Sequence, residues 1–205
     1  MVYGFLDIAI TPSVRAAQAE MGSDHLWQDF RGHRTFDRFT PNEVAFIAQR
    51  DSFYMATVSE TGWPYVQHRG GAAGFLKVID EKTLAFADYR GNRQYISLGN
   101  LKADDRAALI LVDYARRARL KIYARTEVLG LADDLALTEE VLDPAYRAKP
   151  ERLFRLHLEA FDWNCAQHIT PRFTEAEITT AIEPLRERLM MLETENAELK
   201  ARLGE

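Results

Sequence analysis

The heptapeptide DWNCAQH at residues 162–168 contains a tryptophan, a histidine and the only cysteine of the chain. Residues of these types can ligate a metal, supply a thiolate nucleophile, or form the wall of a pocket for a flat aromatic ligand. Cys165 and His168 have the spacing C-x-x-H, and His157 and Glu159 precede them. A structural zinc site takes four ligands and usually more than one cysteine, so we expect no metal site.

A catalytic thiol is the second interpretation of Cys165. A reactive cysteine needs a stabilised thiolate and a nearby base, and His168 lies three residues further along the chain. A lone cysteine at the end of a mostly apolar strand is more often a small buried hydrophobe. We therefore favour a packed Cys165 and a hydrogen-bonded His168. The heptapeptide alone does not decide whether it lines a pocket.

Two further stretches, QHRGG at 67–71 and ADYRGNRQ at 87–94, each follow a predicted strand. The second passes through a glycine turn into a predicted helix, whose first N–H groups are free to bind an anion. Arg93 adds a forked cation at this turn, and Arg69 can converge on it from the neighbouring strand. The pair predicts a seat for a phosphate monoester. The alternative is a solvated turn with scattered arginines.

The dinucleotide and P-loop glycine patterns are absent from the sequence. The glycine cluster RGGAAG at 69–74 is not followed by a helical pattern, so it does not meet the requirements of a dinucleotide-binding turn. We interpret it as a corner or bulge at which a sheet bends.

The elements that must position these residues are mostly strands. Short alternating segments separated by tight turns predict an antiparallel barrel or sandwich. The predicted strands cover residues 53–59, 63–69, 74–80, 83–89, 107–114, 120–131 and 153–163. Two short helices with Thr-Pro starts, at Thr11 and Thr40, precede the strands, and residues 93–104 and 133–143 are predicted helical interruptions.

The C-terminal segment has a different period. A heptad seam runs through Ile178, Ile182, Leu185, Leu189, Leu192, Asn196, Leu199 and Leu203. Pro184 should break or restart the helix, so the expected coiled-coil stretch is about 185–203. Two alternatives remain open: a helix packed on its own barrel, or a self-pairing zipper in which Asn196 fixes a parallel register. The acidic segment before the seam argues against a DNA-binding zipper.

Composition excludes several classes of protein. The chain has 205 residues, a net charge of -5 and one cysteine, which argues against nucleic acid as the main partner and against a disulfide framework. No segment approaches the roughly 20 apolar residues that span a membrane. We expect a cytoplasmic protein with three parts, an N-terminal helical extension (1–39), a barrel domain (40–173) and a C-terminal helix (174–205).

The strand segments resemble a known family. FYMATVSETGWPYVQHRGG, GFLKVIDEKTLAFADYRGNRQYISLGNL and RAALILVDY, in that order, are similar to the FMN-binding split-barrel proteins related to pyridoxamine 5'-phosphate oxidase. DWNCAQHITPRF resembles the closing signature of one bacterial branch of that superfamily. The likeness covers roughly residues 35–173. It implies a mainly β fold with flanking helices, a six-stranded antiparallel split β-barrel that forms a homodimer, and one FMN at each of two interface sites.

The resemblance also implies roles for individual residues. The family holds the FMN phosphate after its fourth strand and runs its second strand beside the flavin, and the partner subunit closes over the ring. The corresponding positions are Asn92, Arg93 and Gln94 for the phosphate, Gln67, His68 and Arg69 beside the flavin, Asp88 as a polar contact, and Trp163, Asn164 and Gln167 from the partner. The heptapeptide that contains Trp163 is then a pocket wall.

The chain departs from the oxidase pattern at two places. A pyridoxamine-phosphate oxidase carries a lysine where this chain has Gln94, and it ends with an Arg-Leu-x-Pro signature where this chain has Pro171-Arg172-Phe173. Both departures argue against vitamin B6 oxidation while leaving FMN binding intact.

The resemblance therefore favours an FMN-dependent oxidoreductase that passes a hydride or electrons between the flavin and NAD(P)H or another small molecule. No catalytic acid or base is assigned, although His68 and His168 are candidates because histidine titrates near neutral pH. The alternatives are a flavin-binding or sensing protein without turnover, and a relative that binds haem or a deazaflavin.

Overall fold

The computed structural model describes residues 4–27, 37–164 and 166–204, without the side chain of Asn164. The chain is mainly β with flanking helices. The strands are β1 (Ser52–Val58), β2 (Pro64–Gly70), β3 (Lys77–Asp80), β4 (Thr83–Tyr89), β5 (Arg106–Asp113), β6 (Ala118–Leu129) and β7 (Pro150–Asn164). The helices are α1 (Phe5–Ala9), α2 (Pro12–Glu20), α3 (Pro41–Ala48), α4 (Ile96–Ala103), α5 (Leu135–Val141) and α6 (Glu175–Leu203), with a 3-10 turn at Asp24–Trp27.

All seven strands form one antiparallel sheet in the order β2-β1-β5-β6-β7-β4-β3. Each of the seven predicted segments overlaps one of these strands. The six-strand count implied by the family resemblance is wrong for this chain, because the short β3 pairs with β4 and adds an edge strand. Within the described residues, β2 and β3 each pair with one strand only, so the recorded hydrogen bonding does not close a barrel.

The strand β3 begins later than predicted, at Lys77, because the preceding residues are held against another segment. The N–H groups of Gly71 and Gly74 donate to the carbonyls of Asp51 and Arg50, the two residues just before β1. Gly74 has a φ of +76°, and a Cβ there would lie 2.9 Å from the carbonyl oxygen of Ala48. The predicted glycine corner is therefore a close contact of two backbones, which only glycine permits.

The helix starts follow the capping residues in the sequence. Thr11 and Thr40 cap α2 and α3, and Glu43 completes a capping box with Thr40. The fourth helix begins at Ile96, three residues after the predicted start, because Arg93 and Tyr95 adopt positive φ values of 63° and 53°. No pattern in the sequence predicted α1, which stacks Phe5 on Tyr123 of β6.

The core lies against one face of the sheet and is rich in aromatic residues. Alternate residues of β1, β5 and β6 point into it. Its largest fully buried side chains include Phe53, Phe86, Phe154 and Phe161. A smaller cluster lies beneath α5, where Leu137 and Val141 pack on Leu153 of β7. Although β2 and β4 do not pair in the sheet, side chains of both meet near the start of α4.

The C-terminal helix α6 is continuous from Glu175 to Leu203, with Pro184 inside it. The expected break at Pro184 is wrong, because the helix continues past the one missing N–H. A capping box between Thr174 and Glu177 fixes the start of the helix. No residue of α6 is buried, so the structure does not show the alternative in which its apolar seam packs on the sheet.

Among the described residues, no helix has both the length and the apolar composition needed to cross a membrane.

Candidate functional site

A polar cleft opens where β2, the end of β4 and the start of α4 meet. Its volume within one chain is about 50 Å³. Six of the predicted site residues line it, namely Gln67, Arg69, Asp88, Asn92, Arg93 and Gln94, together with Tyr65, Tyr89, Gly91, Tyr95, Ile96, Ser97 and Leu98. The sheet therefore brings together two sequence segments that are about twenty residues apart. The turn residues Asn92, Arg93 and Gln94 are exposed, as the alternative of a solvated turn expects, but they share the cleft with the partly buried Arg69.

Strand alternation decides which side chains of β2 face the cleft. Tyr65, Gln67 and Arg69 are partly buried, whereas the residues between them are exposed. Gln67 accepts a hydrogen bond from the Ser97 hydroxyl at 3.0 Å, which ties β2 to the first turn of α4. His68 points to the other face, where its ring lies edge-on to Tyr54 at 5.4 Å between centroids.

Asp88 joins two arginines at the base of the cleft. Its Oδ1 accepts from Arg69 at 2.5 Å, and its Oδ2 accepts from Arg152 of β7. The guanidinium of Arg69 also lies over the rings of Phe86 and Phe154, at 5.8 and 5.4 Å from the centroids. Its side chain is thus held in one orientation by a carboxylate on one side and aromatic faces on the other.

Within the described part of the chain, one donor of the Arg69 guanidinium is unpaired. Its Nε is buried and has no hydrogen-bond partner among the described residues. A buried guanidinium N–H without an acceptor is costly, on the order of 1–3 kcal/mol, and such groups call for a ligand or an ion. Arg69 and Arg93 line the same cleft, but Asp88 already compensates part of the positive charge of Arg69.

The turn between β4 and α4 contains two residues with left-handed backbone conformations, and the N–H groups at the start of α4 have no side-chain cap among the described residues. Asn92 Oδ1 accepts from the backbone N–H of Gln94 at 3.1 Å, and the two side-chain amides also pair at 3.3 Å. Arg93 and Tyr95 both adopt left-handed backbone conformations, which cost about 1–3 kcal/mol each for residues other than glycine. Tyr95 caps α4 without a side-chain hydrogen bond, so the first N–H groups of α4 lack a side-chain acceptor.

The charges of the cleft favour an anion. Two arginines and one aspartate line it, which leaves one positive charge in excess, whereas Arg152 beneath Asp88 is itself paired with Glu151 at 3.2 Å. A helix N-terminus attracts phosphate through its N–H groups and its dipole. The volume suits a phosphate group but not a three-ring flavin, since sites for drug-sized ligands measure about 300–1,000 Å³. The residues present therefore fit the phosphate end of FMN.

Trp163 has a different position from these residues. Its indole N–H donates to Glu43 Oε1 at 2.7 Å, and its ring meets Phe46 edge-on at 4.7 Å between centroids. Glu43, which is only 4% exposed, also accepts from the N–H and the hydroxyl of Thr40. Trp163 thus joins β7 to α3 within its own chain and does not line the cleft.

The remaining predicted residues of this segment also lie outside the cleft. Gln167 is exposed in the turn after β7, and the backbone of Asn164 pairs with Arg119 of β6. His168 is exposed and has a positive φ of 62°. Cys165 lies outside the described residues, so its packing or reactivity stays a prediction. The part of the chain that the structure describes contains no group of three or more metal-ligating side chains.

The match to known families agrees with this geometry. The family model described as pyridoxamine 5'-phosphate oxidase matches residues 39–163, which is more than half of the chain. The chain belongs to this family. The match begins just before α3 and ends at Trp163, so it contains every residue that lines the cleft and excludes α1, α2 and α6.

The chain is similar to several solved structures at low sequence identity, and one of them, HupZ, supports the fold. HupZ of Group A Streptococcus is 14% identical with a TM-score of 0.50, and the match covers 66% of this chain and all of that one. A protein from Clostridium acetobutylicum related to general stress protein 26 is 16% identical with a TM-score of 0.44, covering 67% and 94%. An FAD-binding protein from Mesorhizobium loti is 16% identical with a TM-score of 0.41, covering 62% and 94%. No curated protein matches the chain.

Several residues of the cleft of this family member were missed by sequence reasoning. The alternation that places Gln67 and Arg69 on one face also predicts Tyr65, two residues earlier, so this signal was present. Arg152 had no local signal, because it reaches Asp88 through the pairing of β4 with β7, 64 positions apart. Tyr95 stacks beneath the guanidinium of Arg152 at 5.0 Å, which depends on the same long-range pairing.

The Glu43 site predicts a pH dependence of stability for this family member. Burial raises the pKa of Glu43, but hydrogen bonds from Thr40 and Trp163 lower it by more, so the pKa lies below its ordinary value of 4.5. A carboxyl whose folded pKa is depressed stabilises the fold above its unfolded pKa, and this contribution is lost as the pH falls through the folded pKa.

We expect the free energy of unfolding in urea to fall more for the wild type than for Glu43→Gln when the pH is lowered from about 6 to about 3. The two proteins are compared at each pH by circular dichroism. Parallel curves for the two proteins would contradict a depressed pKa at Glu43.

Proposed function

We propose that this chain is an FMN-dependent oxidoreductase in which the polar cleft holds the phosphate of FMN. The observation that carries the proposal is that two arginines line one cleft of a pyridoxamine 5'-phosphate oxidase family member. Arg69 is partly buried and its Nε has no partner among the described residues, and Arg93 lies in the turn before α4, whose start has no side-chain cap. A phosphate dianion supplies the acceptors that these donors lack.

Each residue of the cleft has a separate task in this proposal. Arg93 and the N–H groups at the start of α4 bind the phosphate oxygens. Arg69, oriented by Asp88, donates from below, and Gln67 is held in place by Ser97. Asn92 and Gln94 shape the turn through their mutual hydrogen bonds. FMN itself, when bound, supplies the transfer of a hydride or of electrons.

The flavin ring requires more room than one chain offers at the cleft, which supports a homodimer with FMN at the interface. A neighbouring depression of about 170 Å³ shares Gln67, Arg69 and Asp88 with the cleft. A wider apolar concavity of about 520 Å³ lies on the sheet, between β1, β5 and β6. Exposed apolar side chains such as Tyr54, Trp63 and Val66 surround this part of the sheet. Exposed apolar patches of this kind mark contacts between proteins.

The position of Trp163 bears on what the partner subunit contributes. Since its indole is bound to Glu43 of its own chain, its role in this proposal is to brace β7 against α3. A second chain then closes over the ring with the segment that follows, Asn164 and Gln167.

The substrate in this proposal is reduced nicotinamide or another small organic molecule rather than a B6 vitamer. Gln94 is neutral where the oxidases carry a lysine, and the segment Pro171–Phe173 lacks the oxidase closing signature. The single cysteine supports a reducing compartment, and we place the protein in the cytoplasm.

The test begins with the absorption spectrum of the purified protein before and after FMN is added. The proposal expects a flavin spectrum, saturation at one FMN per chain, and bleaching of the flavin band by NADPH or NADH under anaerobic conditions. Bound FMN that no nicotinamide reduces would favour the non-catalytic flavin-binding alternative. A haem or deazaflavin spectrum that FMN does not displace would overturn the choice of cofactor.

A further inference from the structure

The helix α6 presents a long apolar seam to solvent. Ile178, Leu185, Leu189, Leu192, Leu199 and Leu203 are 43–74% exposed, and no residue of the helix is buried. Large apolar side chains in one continuous row are unusual on a free surface and mark an interaction site. The row repeats every seven residues, with leucines at each d position from Leu185 to Leu199. This period is that of a coiled-coil seam rather than of the broader face of a helix that packs on a sheet.

The outward face of the helix explains how Pro184 is tolerated. In the same heptads, Ile182 and Leu189 occupy a positions, and Pro184 falls at a c position, away from the seam. A proline there leaves the contact surface continuous, because its missing N–H and its ring lie on the solvent side. The helix accordingly runs unbroken through it.

The flanking charges identify the occupant of the seam as a second copy of this chain. In a parallel pair, each g residue faces the e residue five positions later in the partner. Arg188 at g then faces the second copy's residue 193, a glutamate, and Glu195 at g faces its residue 200, a lysine. Both pairs attract, and two-fold symmetry repeats each of them.

An antiparallel pair would also bring opposite charges together. The antiparallel register that aligns the seam from Ile178 to Leu203 places Arg188 opposite residue 195, a glutamate, and Arg186 opposite residue 193, also a glutamate. The charges therefore fit a second copy in either direction, and another feature of the seam must decide the direction.

Asn196 decides the direction, because in that antiparallel register it would lie opposite Leu185 and leave its amide unpaired. It occupies an a position, where a polar side chain costs stability unless it can pair across the seam. Only a parallel pair in exact register places an a residue opposite its own copy, so that the two amides can hydrogen-bond. One buried asparagine thus fixes both the direction and the register.

We propose that residues 182–203 of α6 pair with the same segment of a second copy as a parallel, in-register, two-stranded coiled coil. The proposal rests on the seam, its flanking charges and Asn196, and it does not depend on flavin binding. If the barrel domains of two copies also associate, the two α6 helices belong to the same dimer. Their pairing is then stabilised, because each helix is held at a high effective concentration near the other.

Disulfide trapping in the full chain tests the proposal. Leu199→Cys, in a Cys165→Ser background, places the new thiol at a d position, directly opposite its own copy in the parallel register alone. Mild oxidation is expected to convert most of the protein to a covalent dimer on non-reducing gels. The matched control, Glu198→Cys at an exposed c position, should give several-fold less dimer. No dimer from Leu199→Cys, or equal yields from both variants, would overturn the proposal.

A charge exchange keeps the test decisive if the cysteine itself perturbs the helix. In the same background as Leu199→Cys, Glu195→Lys should weaken pairing roughly tenfold, because two symmetry-related pairs change from attraction to repulsion. Glu195→Lys combined with Lys200→Glu should restore the yield, and Glu198→Lys should leave it unchanged. An equal loss from Glu195→Lys and Glu198→Lys, or no rescue by the double variant, would show that the seam does not pair in this way.

Discussion

Replacing Arg93 with alanine is expected to weaken FMN binding by on the order of 10- to 100-fold, the loss that follows from removing a hydrogen-bonded charge from a phosphate. The side chain lines the cleft beside the start of α4 and forms no ion pair or hydrogen bond within the described residues. Its removal should therefore leave the fold intact. The affinity is measured by quenching of FMN fluorescence on titration with protein.

Two further variants separate charge from geometry. Arg93→Lys keeps the charge but loses the fork, so it should bind FMN with intermediate affinity. Arg38→Ala serves as the matched control, since Arg38 is an exposed arginine that pairs with Asp37 and Glu81 and lies outside the cleft. If Arg93→Ala reduces the affinity for FMN no more than Arg38→Ala does, Arg93 does not bind the phosphate of FMN.

Trp163→Ala is expected to lower the free energy of unfolding by about 3–5 kcal/mol, the range typical of a large aromatic side chain removed from a packed site. The change deletes the edge contact with Phe46 and leaves Glu43, 4% exposed, without the donor of its Oε1. The measurement is urea unfolding followed by circular dichroism.

The controls for Trp163 come from the chain itself. Trp163→Phe keeps a ring in place but removes the N–H, so it should cost about 1–3 kcal/mol for the unpaired carboxylate. Trp63 is 77% exposed, and Trp63→Ala should change the free energy of unfolding by less than about 0.5 kcal/mol. A Trp163→Ala variant that is as stable as the wild type but binds flavin more weakly would show that Trp163 contacts the flavin, as the family resemblance implies.

The parts of the site that sequence reasoning predicted are those governed by local rules. Alternation along β2 places Gln67 and Arg69 on one face, and a glycine turn before a helix places Arg93 at the helix start. The hairpins and the Thr-Pro helix starts follow equally local signals. Such features depend on a few residues that are neighbours in the sequence, so the local sequence is sufficient to predict them.

The parts that it missed depend on contacts between distant segments. Arg152 reaches Asp88 only after β7 pairs with β4, and Trp163 finds Glu43 across 120 positions of sequence. The start of β3 is delayed by the backbone contact between Gly74 and Ala48, which no pattern within 74–80 encodes. The helix α6 continues through Pro184, because propensity alone does not decide whether a helix ends.

The most direct measurement of the central claim compares FMN with riboflavin, which has the same ring but no phosphate. If the cleft holds the phosphate, the wild type binds FMN at least about 100-fold more tightly than riboflavin, since several charge-assisted hydrogen bonds depend on it. Arg93→Ala should narrow that difference while changing riboflavin affinity little. Equal affinities of the wild type for FMN and riboflavin would contradict the account.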